Sequence, residues 1–165
     1  VDGLGRVLLL LTAVGMMSAG LTIQLIGVTH VFVPQDLAYM GLTADQLRGV
    51  NPRLIPLIAH DRAGFGGGLI SCGLAFGLVV WCGRPSRALW QALAVAGAAG
   101  FLCAISVHFW VGYTNAFHIA PAILGAAQFG VGIMLSARRM LRPDGVVDRE
   151  PTGLGQPSSY ELQQR

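Results

Sequence analysis

Residues 88–137 read ALWQALAVAGAAGFLCAISVHFWVGYTNAFHIAPAILGAAQFGVGIMLSA, and these 50 consecutive positions contain no Asp, Glu, Lys or Arg. A membrane-crossing helix needs about 20 apolar residues. The run is therefore too long for one span and long enough for two. Its middle, FWVGYTNAF (109–117), contains glycine, threonine and asparagine, which favour a turn. We predict two spans, near 88–108 and 116–137.

Two more uncharged runs, at 7–33 and 63–83, predict spans near 7–28 and 63–83. Only 12% of the 165 residues are charged, against about 25% in soluble domains. The predicted fold is therefore an all-α, four-helix transmembrane bundle. The composition has no basic cluster interleaved with aromatic residues, which argues against nucleic-acid binding.

The predicted transmembrane domain covers residues 1–142. It is followed by a tail, 143–165, whose Pro, Gly, Ser, Gln and charged residues predict a flexible cytoplasmic segment. The first apolar run is too long for a signal-peptide core and is predicted to be a retained span. Because residue 1 is valine, we expect the natural chain to start further upstream.

The arginines are unevenly distributed between the two sides of this topology. One side holds Arg6, Arg84, Arg87, Arg138, Arg139 and Arg142. The other side holds Arg48, Arg53 and Arg62, offset by Asp36, Asp45 and Asp61. Since arginine accumulates on the cytoplasmic side of membrane proteins, both termini are predicted to be cytoplasmic. The expected location is the cytoplasmic (inner) membrane of a bacterium, with loop 29–62 outside.

The outer loop contains helix-start signals. Thr43 is followed three positions later by Gln46, which is the spacing of a capping box and predicts a short helix near 44–49. Asn51 and Pro52 are typical of a helix cap and a first-turn proline. They predict that the second long helix begins at Pro52, before its membrane segment.

Four histidines are predicted at the outer ends of four different helices: His30, His60, His108 and His118. Neutral imidazoles bind haem iron and transition metals, so all four are candidate cofactor ligands. His60, His108 and His118 are the candidate metal ligands, with Asp61 and Asp36 orienting the imidazoles. A quinone head group needs only one or two such groups. The alternative is interfacial histidines that hydrogen-bond to loops or lipid head groups.

The GFGGG segment at 64–68 does not match the dinucleotide-binding fingerprint, because position 69 is leucine and no strand precedes it. Gly64 and Gly68 instead have the small-xxx-small spacing that brings membrane helices together. This spacing predicts a tightly packed bundle. The alternative is clearance for a flat cofactor or a partner helix.

Three segments together resemble a group of bacterial four-helix membrane proteins with no assigned chemistry. The segments are FVPQDLAYMGL (32–42), NPRLIPLIAHDRAGFGGGL (51–69) and YTNAFHIAP (113–121). Similar segments also occur in larger polypeptides described as dihydroorotate dehydrogenase-like. This chain has no flavin-binding barrel sequence, so the resemblance implies a membrane fold and not that activity. The matching positions are Pro34, Asp36, Leu37, His60, Asp61, Arg62, Phe65, Gly66, Gly67 and His118.

Three functions are consistent with these patterns. The first is a small membrane subunit with an outward-facing histidine site for a metal, haem or quinone. The second is a structural or accessory subunit of a larger membrane complex, in contact with other subunits or with copies of itself. A transporter ranks third, because no charged residue lies at the midplane of any span. The sequence contains no nucleophile elbow and no zinc-protease motif, so it does not predict an independent enzyme.

Overall fold

The computed structural model describes residues 2–141, which form six helices and no strand. The helices are α1 (Asp2–Val28), α2 (Pro34–Met40), α3 (Ala44–Val50), α4 (Leu54–Cys82), α5 (Arg87–Trp110) and α6 (Ala116–Met140). The predicted tail at 143–165 and Arg142 lie outside the described residues. Within 2–141, the all-α prediction is confirmed.

Four of the helices are long and apolar enough to cross a membrane: Gly3–Val28, Leu54–Cys82, Arg87–Trp110 and Ala116–Met140. They coincide with the four predicted spans. The turn between the last two is also confirmed, because α5 ends at Trp110 and α6 begins at Ala116. Asn115 caps α6 by accepting a hydrogen bond from the Phe117 N–H at 3.0 Å, as asparagine does at helix starts.

The start of α4 differs from the prediction by two residues. Asn51, Pro52 and Arg53 form a turn in which the Asn51 side chain accepts a hydrogen bond from the Arg53 N–H at 2.9 Å. The helix then begins at Leu54. The asparagine therefore stabilises the turn before the helix instead of capping the helix itself.

The connection between α1 and α4 contains two short helices, where the sequence predicted one. Helix α3 has the predicted capping box between Thr43 and Gln46. Helix α2 was missed. Its start combines Pro34 with a hydrogen bond from the Val33 N–H to the Asp36 carboxylate at 3.0 Å. Gly41, with φ of 64°, follows its last residue and allows the chain to reverse.

Helix α1 packs between α4 and α6, and α5 packs against α6. Helices α4 and α5 do not pack along their lengths, although a short turn at 83–86 joins them. The "turn end" of the molecule is the end that contains this turn. The "loop end" is the opposite one, which contains α2, α3 and residues 111–115. The main buried cluster joins all four long helices and consists of Leu9, Val80, Leu93, Phe129 and Ile133.

Glycine sets the close approach of α1 and α4, but through different glycines from those predicted. A Cβ atom on Gly20 would lie 2.6 Å from the Gly66 carbonyl oxygen, and one on Gly66 would lie 2.6 Å from that of Gly20. A Cβ on Gly64 or Gly68 would have nothing within 4 Å. The helix contact therefore uses Gly66, and the predicted packing role of Gly64 and Gly68 is wrong for the contacts within the described chain.

Candidate functional site

The most buried charged side chain in the described part of the protein is Asp36, at the loop end. Its side chain is only 8% exposed. One carboxylate oxygen accepts hydrogen bonds from the Val33 N–H at 3.0 Å and from Arg62 Nη2 at 2.7 Å. The other accepts a hydrogen bond from the Tyr113 hydroxyl at 2.7 Å. A buried carboxylate needs such partners to offset the loss of hydration.

His118 completes this group. The Tyr113 hydroxyl oxygen lies 3.2 Å from both ring nitrogens of His118. The Tyr113 hydroxyl donates its hydrogen to Asp36, and the tautomer of His118 decides which of its ring nitrogens carries a hydrogen. His118 Nε2 is also 3.6 Å from the Asp36 carboxylate, so a protonated His118 would form an ion pair. We call Asp36, Arg62, Tyr113 and His118 the loop-end cluster.

Four separate segments position the loop-end cluster. Asp36 lies in the first turn of α2, and Arg62 projects from the third turn of α4. Tyr113 lies in the connection between α5 and α6, directly after Gly112, whose φ of 75° turns the chain. His118 lies in the first turn of α6, after the Asn115 cap. The cluster therefore joins the connection between α1 and α4 to three other parts of the helical domain.

The hydrogen bonds set the protonation states of two cluster residues. Burial alone would raise the pKa of Asp36, but hydrogen bonds from Val33, Tyr113 and Arg62, with the Arg62 charge, hold that pKa below its ordinary value. Burial and the neighbouring Asp36 carboxylate raise the pKa of Tyr113 well above its ordinary value. At neutral pH, Asp36 is therefore ionised and Tyr113 is protonated.

Aromatic side chains surround the loop-end cluster. The Tyr39 ring lies 4.8 Å from the Tyr113 ring, centroid to centroid, and the Tyr39 hydroxyl donates a hydrogen bond to the Val111 carbonyl. The His108 ring is nearly parallel to that of Tyr113 at 6.3 Å. The Arg62 guanidinium lies 5.7 Å from the centroid of Phe32. The cluster thus combines hydrogen-bonding groups with flat apolar surfaces.

The four histidines are not brought into one site. His60 has an 84% exposed side chain and contacts Asp61, with 3.2 Å between Nδ1 and the carboxylate. His108 Nδ1 lies 2.7 Å from the Ala104 carbonyl oxygen. His30 Nδ1 lies 3.1 Å from the Thr29 hydroxyl. Only His118 makes polar contacts within the loop-end cluster, and the ring of His108 lies beside that of Tyr113.

The candidate metal ligands His60, His108 and His118 therefore gain no geometric support. Among residues 3–141, no three His, Cys, Asp or Glu side chains are grouped so that they could hold a metal ion. Of the two residues expected to orient imidazoles, Asp61 contacts the exposed His60, and Asp36 contacts Tyr113 and lies near His118. Haem and metal binding stay predictions from the sequence.

Sequence reasoning missed Arg62 and Tyr113 as members of the site. Arg62 resembled a boundary residue that extends to lipid head groups. Tyr113 resembled one of the interfacial aromatic residues. Their partner Asp36 is 26 positions from Arg62 and 77 from Tyr113, so no local pattern links them. The helix-start signal of Pro34 and Asp36 was the one local indication that Asp36 itself has a defined position.

Comparison of the chain with protein-family models, curated proteins and solved structures gave no match. The site contains a fixed carboxylate, a neutral phenol and a partly exposed imidazole. Together these groups can donate and accept hydrogen bonds beside aromatic rings. The side chains of His118 and Arg62 are 29% and 28% exposed, so a ligand or water can reach both.

Proposed function

We propose that this chain is a small integral membrane subunit whose loop-end cluster binds the head group of a quinone-type ligand. The proposal rests on one observation, the hydrogen-bonded pair of Tyr113 and His118 held against Asp36. A quinone carbonyl needs one or two hydrogen-bond donors and flat neighbours. His118 would donate to the carbonyl. Asp36 and Arg62 would position Tyr113, which in turn positions His118.

Quinone binding is preferred over metal or haem binding because of the number of groups required. A transition-metal site needs three or four convergent ligands. A quinone site needs only the groups that the loop-end cluster contains, and it lies at the depth where a membrane-dissolved ring reaches the interface. The exposed edge of His118 and the aromatic rings of Tyr39 and His108 would form its walls.

Titration of the detergent-purified chain with a short-chain quinone analogue tests the proposal, with tryptophan fluorescence as the signal. Trp110 is a useful reporter, because it ends α5 at the loop end and is 90% exposed. We expect saturable quenching. Loss of one hydrogen bond to the ligand should weaken binding about tenfold in His118→Gln. Tyr113→Phe should weaken it severalfold through the loss of positioning.

His60→Gln is the matched control, because His60 is a histidine at the same end but outside the loop-end cluster. Its affinity should equal that of the wild type. Quenching that does not saturate, or that is unchanged in His118→Gln, would overturn the quinone proposal. Thermal unfolding of each variant in the same detergent shows whether a lost signal reflects a lost fold.

An accessory structural subunit is the second candidate. It is favoured by the fact that every buried side-chain N or O atom in residues 3–141 has a hydrogen-bond partner. A cluster whose buried polar atoms all have hydrogen-bond partners within the chain can serve only to hold α2 against the bundle. If this is the role, native electrophoresis of gently solubilised membranes should show the chain in a particle larger than a detergent-bound monomer. Migration only as the monomer would argue against it.

The orientation with both termini in the cytoplasm of a bacterial cell is likewise a proposal. It is supported by the arginines at the turn end: Arg6, Arg84, Arg87, Arg138 and Arg139. The loop end has three arginines and three aspartates. The loop-end cluster would then face the outside of the cytoplasmic membrane.

A further inference from the structure

The turn end contains a cavity of about 210 Å³ between α1, α6 and the end of α4. Its walls include three arginines from three different elements. Arg6 comes from α1, Arg84 from the turn at 83–86, and Arg139 from the last turn of α6. Within residues 3–141, no acidic residue lines the cavity. Among residues 3–141, none of these three arginines forms an ion pair, so their charges are uncompensated by the described chain.

One of the arginines is held in a defined orientation. Arg6 Nη2 donates a hydrogen bond to the Trp81 carbonyl oxygen at 2.6 Å. Its guanidinium also lies 5.3 Å from the centroid of the Trp81 ring. A guanidinium has five N–H donors, so most of those of Arg6 stay available. This arrangement reduces the conformational entropy that Arg6 would lose on binding an anion.

The rest of the cavity wall is largely apolar. Leu9 is fully buried, and Val80 and Met140 are nearly so. The buried hydroxyl of Ser136 also lines the cavity. A free, strongly hydrated anion gains nothing from apolar walls. A molecule with a charged head and a hydrocarbon part matches both surfaces.

The position along the helices fits such a molecule. At 1.5 Å per residue, α1 is longer than the roughly 30 Å hydrocarbon core of a bilayer. Its first turns, including Arg6, therefore extend to the level of the head groups. Basic pockets between membrane helices at this depth bind anionic lipid head groups. Arginine suits phosphate oxygens because its planar fork can donate two parallel hydrogen bonds.

We propose that Arg6, Arg84 and Arg139 form a binding site for the phosphate group of an anionic phospholipid. The cavity takes the head group, and the acyl chains run along the apolar surface of the neighbouring helices. The site is at the opposite end of the molecule from the loop-end cluster and does not depend on quinone binding.

Native mass spectrometry of the full chain in neutral detergent micelles tests this site. The micelles are doped with phosphatidylglycerol, which is anionic, or with phosphatidylcholine, which has no net charge. We expect one phosphatidylglycerol to be retained and phosphatidylcholine to bind much more weakly. Because each arginine near the membrane surface adds appreciably to the attraction of anionic lipid, Arg84→Gln and Arg139→Gln should each weaken retention about fivefold.

Arg138→Gln is the matched control, since Arg138 precedes Arg139 on the same helix but does not line the cavity. It should retain phosphatidylglycerol like the wild type. A parallel titration with inorganic phosphate separates the two sources of the same group. Displacement of the lipid by millimolar phosphate would support the phosphate site but assign it to the free anion. Equal retention of both lipids, or an equal loss in Arg138→Gln, would overturn the proposal.

Discussion

At the scale of single residues, Asp36 has the largest set of partners. It accepts hydrogen bonds from backbone, guanidinium and phenol groups while almost fully buried. Removing its charge leaves Arg62 partly buried without a counter-ion, which is costlier than removing the pair. We expect Asp36→Asn to lower the free energy of unfolding by about 1–3 kcal/mol.

Unfolding of Asp36→Asn in detergent, compared with wild type, measures this loss. Asp61→Asn is the control, because Asp61 is an aspartate on α4 with a 70% exposed side chain. It should change stability by less than about 0.5 kcal/mol. Equal effects of the two substitutions would mean that the cluster adds nothing specific to stability.

The pH dependence of stability also belongs to single residues. Because the folded-state pKa of Asp36 is lowered, its contribution is present above the ordinary aspartate pKa and is lost as pH falls through the folded value. The stability gap between wild type and Asp36→Asn should therefore narrow below about pH 4. Denaturant unfolding at several pH values measures the gap. A gap that stays constant down to pH 2 would contradict the assignment.

The contribution of Tyr113 to stability depends on pH in the opposite direction. Its folded-state pKa is raised, so its contribution is complete below the ordinary tyrosine pKa of about 10 and is lost as pH rises above it. The difference in free energy of unfolding between wild type and Tyr113→Phe should therefore shrink as the pH rises above about 10. Unfolding at pH 8 and at pH 11 distinguishes this outcome from a gap that does not depend on pH.

At the scale of the elements, the contact between α1 and α4 depends on Gly66. A Cβ at this position would lie 2.6–2.8 Å from backbone and side-chain atoms of α1, where no flexible group can move aside. We expect Gly66→Ala to separate the helices and to destabilise the protein by about 1–3 kcal/mol. Gly64→Ala, two residues away, meets no atom within 4 Å and should be neutral or stabilising, because alanine favours helix. Thermal unfolding of both variants tests the difference, and equal melting temperatures would contradict this packing.

At the scale of the whole molecule, the helix order places the loop-end cluster and the arginine-lined cavity at opposite ends. The predicted orientation has a direct test in fusions to alkaline phosphatase, which is active only outside the cytoplasm. A fusion after Gly112, at the loop end, should be active, and one after Leu141, at the turn end, should be inactive. The reverse pattern would place the arginine cavity outside and would overturn the proposed topology.

The sequence by itself determined the number of spans, the turn at 111–115 and the short helix α3. Each of these depends on local information: a run of uncharged residues must match the bilayer thickness, and a capping residue acts within one turn of its helix. The same local rules left α2 undetected, although Pro34, Asp36 and Gly41 carry its start and end signals.

Only the tertiary structure decided which glycine contacts the neighbouring helix and which charged side chains pair with each other. A helix in lipid can be apolar on all sides, so its sequence pattern does not show which face packs; Gly64 and Gly66 differ only in this respect. In the same way, Arg62 and Tyr113 reach Asp36 from distant segments, and His60 remains exposed while His118 joins them. These contacts follow from how the helices are placed around α1, which no short stretch of the chain specifies.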